Sequence, residues 1–137
     1  MIHHWSLFTK PWKTATAEEL GALAARLGFT GIEFPLRAGY QVDLADAERG
    51  LVSLGKTLAQ YGVRITSVAG DTSERTFAAC HAAGVRILRI MINAEPAIGY
   101  RKSMEAKKRE LEALVPLCEK YSVTIGVQQH YGFGIFN

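Results

Sequence analysis

The segment Gly28-Phe29-Thr30-Gly31-Ile32 ends an amphipathic, helix-like run at a glycine and begins a short apolar, β-branched run. The same order returns at Gly62-Val63-Arg64-Ile65, Gly84-Val85-Arg86-Ile87 and Ser122-Val123-Thr124-Ile125. These junctions lie 34, 22 and 38 residues apart, and each interval has room for the strand, loop and crossover helix that parallel strands require. The repetition predicts βα units that feed a parallel sheet.

Five strands are expected in alternation with four helices. The first helix begins with a capping box, Thr16 followed three residues later by Glu19. Gly50 and Gly55 fall inside the second helix, where tight packing against the sheet would explain them. The fourth helix is predicted over 103–121 with a kink at Pro116, because the proline ring removes one backbone donor. The strands are predicted over 5–8, 31–34, 64–69, 86–92 and 124–128.

Length and composition favour one globular domain over residues 1–137, with 48% apolar residues and a net charge of +3. That charge is too small to favour nucleic acid as a partner. No apolar run approaches the ~18 residues of a membrane span, and no signal peptide is evident. Cys80 and Cys118 lack metal or redox spacing and are expected to be small core residues. A cytoplasmic location follows as the default.

Two motifs carry a family resemblance: Phe29-Thr30-Gly31-Ile32-Glu33-Phe34 on the second strand and Gly126-Val127-Gln128-Gln129-His130 on the fifth. With the order of elements, they resemble the sugar phosphate isomerase/epimerase family, which has the xylose isomerase-like (β/α)₈ barrel. The resemblance covers essentially the whole chain but only five strands of a barrel that usually needs ~250 residues. It implies an α/β fold, a partial TIM barrel truncated after strand five. An open flavodoxin-like sheet is the alternative, although no glycine-rich phosphate loop follows strand one.

Active sites of such barrels lie at the C-terminal ends of the strands, so position selects the candidate residues. Glu33 and His130 are the catalytic candidates. A carboxylate in an apolar strand needs either a partner or a site, and a structural ion pair is the alternative for Glu33. His130 ends strand five, where an imidazole can donate to a substrate oxygen or exchange a proton near neutral pH. A hydrogen-bonded structural histidine is the alternative there.

Three further strand-end residues are expected to bind substrate. Arg37 follows strand two, and its planar guanidinium can hold a phosphate or carboxylate, although a solvated loop arginine would look the same. Asp71 follows strand three and is equally suited to capping the next helix. Asn93 follows strand four.

The resemblance also implies a divalent cation, Mn²⁺, Mg²⁺ or Zn²⁺, in a complete barrel. Members of the family that use a metal bind it through a glutamate on strand five and further ligands on strands six to eight. The matching strand-five position is Gln128, a neutral oxygen ligand and therefore a weaker one. The sequence predicts no complete metal site in this chain.

The resemblance implies an enzyme that moves a proton next to a carbonyl on a small sugar or sugar phosphate. The chain alone is expected to be inactive, because most catalytic groups of the family lie on later strands. The alternative is a non-catalytic truncated barrel that binds or self-associates, and a homo-oligomer would cover the open sheet. An endonuclease IV-like activity on abasic DNA is disfavoured by the weak net charge.

Overall fold

The sheet contains five parallel strands whose spatial order is the order of the chain. The structure is a computed structural model that describes residues 5–130. Each strand pairs only with its sequence neighbours, as in a (β/α) barrel. The flavodoxin-like alternative is therefore wrong, since a doubly wound sheet reverses its strand order. The strands are β1 (Ser6–Phe8), β2 (Gly31–Pro35), β3 (Arg64–Ala69), β4 (Ile87–Met91) and β5 (Thr124–Gln128).

Helices connect the strands, and the last connection differs from the prediction. Two helices, separated at Ala113 and Leu114, take the place of the single kinked helix expected over 103–121. Pro116 lies in the first turn of the second of them, where its missing N–H leaves no intrahelical hydrogen bond unmade. The proline therefore starts a helix instead of kinking one. The helices are α1 (Ala17–Arg26), α2 (Ala47–Ala59), α3 (Glu74–Ala82), α4 (Tyr100–Glu112) and α5 (Val115–Tyr121).

The hydrophobic core lies between the outer face of β2 to β4 and the helices α1, α2 and α3. Alternate strand residues point outward into it, and the helices contribute leucines and one large aromatic ring, Phe77. The largest side chains of this core are fully buried: Ile32, Phe34, Val68, Leu88, Leu20, Leu51, Leu58 and Phe77. This single layer of helices on one face of the sheet confirms the predicted α/β class.

The two cysteines lie in helices, as predicted, and both are free thiols. Cys80 is fully buried in α3, and burial raises the pKa of its thiol to about 12. Cys118 in α5 is half-buried. Within residues 5–130, no helix has both the length and the hydropathy that crossing a bilayer requires.

The two glycines of α2 differ in their surroundings. A Cβ on Gly50 would lie 2.6 Å from Cγ1 of Val42, so close packing does explain this glycine. A Cβ on Gly55 would meet only Cδ1 of Ile65, at 4.0 Å. Gly50 is therefore tightly packed, but against the segment between β2 and α2 instead of the sheet, and the expectation of tight packing is wrong for Gly55.

Candidate functional site

The C-terminal ends of the strands meet at one edge of the sheet, because all five strands are parallel. The polar residues predicted from the sequence follow these ends in turn: Arg37 after β2, Asp71 after β3, Asn93 after β4, and Gln128 with His130 at β5. All five are exposed. This edge is called the mouth below.

Glu33 lies below the mouth, in the middle of β2 on the inner face of the sheet. Its Oε1 accepts from Nη2 and Nε of Arg89, at 2.6 and 3.1 Å. Its Oε2 accepts from Oγ of Ser67 at 2.9 Å. The two charged side chains are only 18% and 10% exposed. The geometry thus shows Glu33 as a held, ion-paired carboxylate, which was the structural alternative named for it.

Arg89 is the residue that the sequence reasoning did not select. Its guanidinium carbon lies 4.8 Å from the centre of the Phe8 ring, a cation–π contact, while its nitrogens hold Glu33. The signal that could have identified it was a lone charge in the otherwise apolar strand β4. A buried charge needs a partner. Among the predicted strands, the other charged residue that lies away from a strand end is Glu33.

Asp71 organises the start of α3. Its Oδ1 accepts from the backbone N and Oγ of Ser73, at 3.0 and 2.6 Å, and from Oγ1 of Thr76 at 2.7 Å. These hydrogen bonds, with that from the Ser73 hydroxyl the strongest cause, hold the pKa of Asp71 below its usual value. Ser73 occupies the N-cap position itself but makes no side-chain cap bond. Asp71 therefore fixes the N-cap residue and the Thr76 side chain, and through them the first turn of α3.

A cleft of about 730 Å³ opens between the ends of β3 and β4 and the helix α4. Asp71 and Asn93 both line it, together with Glu95 and an ion pair on α4 in which Nζ of Lys107 lies 2.8 and 3.0 Å from the two oxygens of Glu110. Apolar groups from β4 and α4 line the remainder. The cleft thus unites two of the predicted binding residues.

Arg37 and Gln128 do not line this cleft and lie elsewhere along the mouth. Sequence reasoning did not find the cleft, because its far wall is α4. No pattern in the sequence predicts how far α4 lies from the sheet.

A divalent cation needs several oxygen, nitrogen or sulfur ligands in one place. Within the described part of the chain, no three His, Cys, Asp or Glu side chains come together in a group that could hold a metal. Gln128 is exposed at the end of β5, and it offers one neutral oxygen. Within residues 5–130, Gln128 is thus a single weak donor, and the divalent cation stays an expectation from the family resemblance.

Solved structures resemble the chain, whereas no protein-family model and no curated protein matches it. The probable 3-DHS dehydratase AsbF of Bacillus anthracis superposes with a TM-score of 0.72 at 14% identity, over 93% of this chain and 53% of that one. A D-allulose 3-epimerase of Methylomonas sp., solved with D-allulose, gives 0.67 at 17% identity, over 96% and 53%.

The 3-keto-D-glucoside 4-epimerase YcjR of E. coli gives a TM-score of 0.66 at 10% identity, over 97% of this chain and 59% of that one. The chain thus spans a little over half the length of each of these proteins. At such low identities the likeness concerns the fold alone. This protein has the fold of about half of a (β/α)₈ barrel of the kind seen in sugar isomerases and epimerases.

Proposed function

We propose that the chain provides β1 to β5 of a sugar isomerase/epimerase-like barrel, together with part of its substrate-binding mouth. The observation that carries the proposal is the convergence of polar strand-end residues at the C-terminal edge of a sheet with barrel strand order. Active sites of (β/α)₈ enzymes are built at that edge. The similarity to solved epimerases supports the same assignment.

The reaction proposed for the complete barrel is proton transfer next to a carbonyl on a small sugar or sugar phosphate. A base takes the proton from the carbon beside the carbonyl, the electrons of that C–H bond form an enediolate, and the carbonyl oxygen becomes an oxyanion. Hydrogen-bond donors stabilise this oxyanion. Return of a proton to the other face, or to the neighbouring carbon, completes epimerisation or isomerisation.

Four of the mouth residues, and Glu33 below them, have a role in this scheme. His130 donates to, or protonates, a substrate oxygen. Asn93 binds a substrate hydroxyl. Asp71 accepts a hydrogen bond from the substrate at the acceptor positions that Ser73 and Thr76 leave open. Arg37 binds an anionic group if the substrate carries one. Glu33 contributes through its ion pair with Arg89, which occupies the acceptor atoms that a base would need. The principal base is then a group from outside this chain, and the chain alone turns over little or no substrate.

Binding and turnover are tested separately. Saturation-transfer NMR with the 137-residue chain and D-allulose or D-fructose should show weak sugar contact, which Asn93→Ala and His130→Ala reduce. The control is His81→Ala, because His81 lies in the last turn of α3 and its Nδ1 bonds the Tyr121 carbonyl at 2.7 Å. Absence of binding would overturn the proposed sugar site.

The same samples in D₂O report turnover. Deuterium incorporation next to the carbonyl should not exceed that of buffer alone. Rapid incorporation would contradict the assignment of the base to a group outside this chain.

A second candidate function, self-association, is favoured by one observation. Ile87 and Met91 on the inner face of β4, next to the edge strand β5, are 44% and 43% exposed. Open strand edges and apolar strand faces favour pairing with another chain. A second copy covering this face would give a monodisperse dimer in light scattering, and Met91→Lys would dissociate it. A monomer that unfolds cooperatively would contradict this candidate.

A further inference from the structure

We infer that the Arg89 side chain is a positioning tie that holds β1 to β4 in barrel curvature and so brings their ends to one mouth. The inference rests on contacts of one guanidinium with side chains from β1 and β2, and on a shared hydrogen-bond network with β3. It does not depend on the proposed function.

The contacts span three strand spacings. Neighbouring strands lie about 4.8 Å apart, so the backbones of β4 and β1 would be about 14 Å apart in a flat sheet. Yet Arg89, on β4, lies 2.6 Å from Oε1 of Glu33 on β2 and 4.8 Å from the ring centre of Phe8 on β1. A single side chain satisfies both contacts more readily when the inner face is concave. The tie therefore favours curvature over flatness.

Strand β3, which the tie crosses, carries small side chains at the crossing. Ala69 is the register partner of Arg89, and Ser67 is that of Glu33. Ala69 is fully buried beside the tie. Ser67 contributes a hydrogen bond to Oε2 of Glu33 at 2.9 Å. A long side chain at either position would block the path between Arg89 and Glu33.

A β-bulge lies at the same point of the sheet. The register between β2 and β3 shifts between Ile32 and Glu33, which leaves Thr66 as an extra residue. Oγ1 of Thr66 bonds the carbonyl of Ile32 at 2.9 Å and Oγ of Ser6 at 2.8 Å. Bulges bend and twist the strand that contains them. The bulge allows curvature here, and the ion pair fixes it.

The Arg89–Glu33 ion pair has no net charge and little contact with solvent. Glu33 accepts three hydrogen bonds, and the two side chains are 18% and 10% exposed although the sheet is open. Breaking such a pair leaves one poorly solvated charge on the inner face. The pair is therefore either fully formed or absent, and so it stabilises a single curvature of the sheet.

Spin-label distances across the sheet test the inference. Labels at Trp5→Cys and Thr124→Cys, both exposed, report the separation of β1 from β5 in a Cys118→Ala background. Cys80 stays unlabelled, because it is fully buried in α3 and the reagent cannot reach its thiol. Four flat spacings correspond to about 19 Å. The native distance should be shorter and narrowly distributed, and Arg89→Met and Glu33→Gln should lengthen and broaden it.

The matched control is Arg64→Met, an exposed arginine at the start of β3, which should leave the distance unchanged. The charge-swapped double variant, Glu33→Arg with Arg89→Glu, should restore part of the native distribution. If circular dichroism shows that Arg89→Met does not fold, the distance distributions of Arg89→Lys and Glu33→Gln test the inference instead. Native distance distributions in Glu33→Gln and in the folded Arg89 variant would overturn the inference.

Discussion

The segment from Leu20 to Ile92 and the segment from Asn93 to Gln128 differ sharply in packing. The first contains nearly the whole hydrophobic core, with strands β2 to β4 covered by α1, α2 and α3. In the second, only Ser103 and Val123 are buried. Both segments have amphipathic helices and β-branched strands. The comparison teaches that the same sequence pattern gives a core only where neighbouring elements lie on both sides.

The pairing of β5 with β4 joins the second segment to the first through the backbone, and the side-chain contacts that add to it lie mainly at the surface. Nζ of Lys120 lies 2.6 Å from Oε1 of Glu74, the Tyr121 hydroxyl donates to the same oxygen at 2.9 Å, and His81 bonds the Tyr121 carbonyl at 2.7 Å. They attach α5 to α3 at exposed positions. Solvent screens such exposed contacts, so they contribute little to stability. Residues 93–128 should therefore open locally before the core does.

Removing a large side chain from each segment should give the largest contrast. Phe77→Ala deletes a fully buried ring in α3 and should lower the free energy of unfolding by about 3–5 kcal/mol. Val115→Ala, at a side chain 48% exposed in α5, should change it by less than about 0.5 kcal/mol. Urea unfolding measures both. Equal shifts of the midpoint would refute the division into two segments.

Adding a methyl group to a strand glycine should give effects of opposite sign. A Cβ on Gly31 in β2 would overlap Cγ2 of Thr66 and lie 2.8 Å from Oγ of Ser6, so Gly31→Ala should cost roughly 1–3 kcal/mol. A Cβ on Gly126 in β5 would meet only Cγ2 of Ile87, at 3.4 Å. Gly126→Ala should therefore stabilise the fold by about 0.5 kcal/mol. Destabilisation by Gly126→Ala would show that β5 is as tightly packed as β2.

The starts of α3 and α4 should respond differently to acid. Because hydrogen bonds lower the pKa of Asp71 in the folded chain, its carboxylate stabilises α3 above the unfolded pKa, near 3.8. That contribution is lost as pH falls through the lower folded value. Asp71→Asn should thus cost up to about 1 kcal/mol at pH 7 and nothing at the acid end.

The acid response is measured by unfolding at a series of pH values, and by hydrogen exchange of first-turn amides. The start of α4, where Gly99 provides no side-chain cap, supplies the internal reference. Its amides should exchange equally in wild type and variant. A cost of Asp71→Asn that persists at low pH would contradict the assigned role of the carboxylate.

The smallest effect is expected from the Lys107–Glu110 pair on α4. Its side chains are 34% and 61% exposed, and exposed ion pairs contribute little. Glu110→Gln should change the free energy of unfolding by less than about 0.5 kcal/mol. The free energy of unfolding of the variant should depend on salt concentration no more than that of the wild type. A larger loss in thermal unfolding would show that α4 is fixed more firmly than its sparse burial indicates.

Local patterns were sufficient to predict most of the fold. The predicted bounds of β3 and β5 match the structure. Those of β1 and β2 differ by one residue at one end, and those of β4 differ by one residue at each end. Hydrophobic period and glycine position act within a few residues, so a sequence contains that information directly. The break before α5 was missed, because a proline can kink a helix or start one, and tertiary context decides between them.

The candidate site was less accessible to sequence reasoning. Strand ends placed the mouth residues correctly, since topology alone determines which edge they share. The partner of Glu33 was not predicted, because Arg89 lies 56 positions away along the chain. Such a contact depends on which strands curve together. The roles in binding or catalysis remain predictions for all five mouth residues: Arg37, Asp71, Asn93, Gln128 and His130.

The order of strands has a consequence for how the molecule is made. Each strand pairs only with the strand before it and the strand after it, so no strand pairing needs a strand beyond the immediate neighbours in sequence. The paired residues still lie from 20 positions apart, Val68 with Leu88, to 37 apart, Ile87 with Thr124, so the sheet should form more slowly than a helical bundle would. During synthesis, every completed βα unit can add to the units already in place. The sheet grows in the direction of translation, and its newest edge is always the template for the next strand.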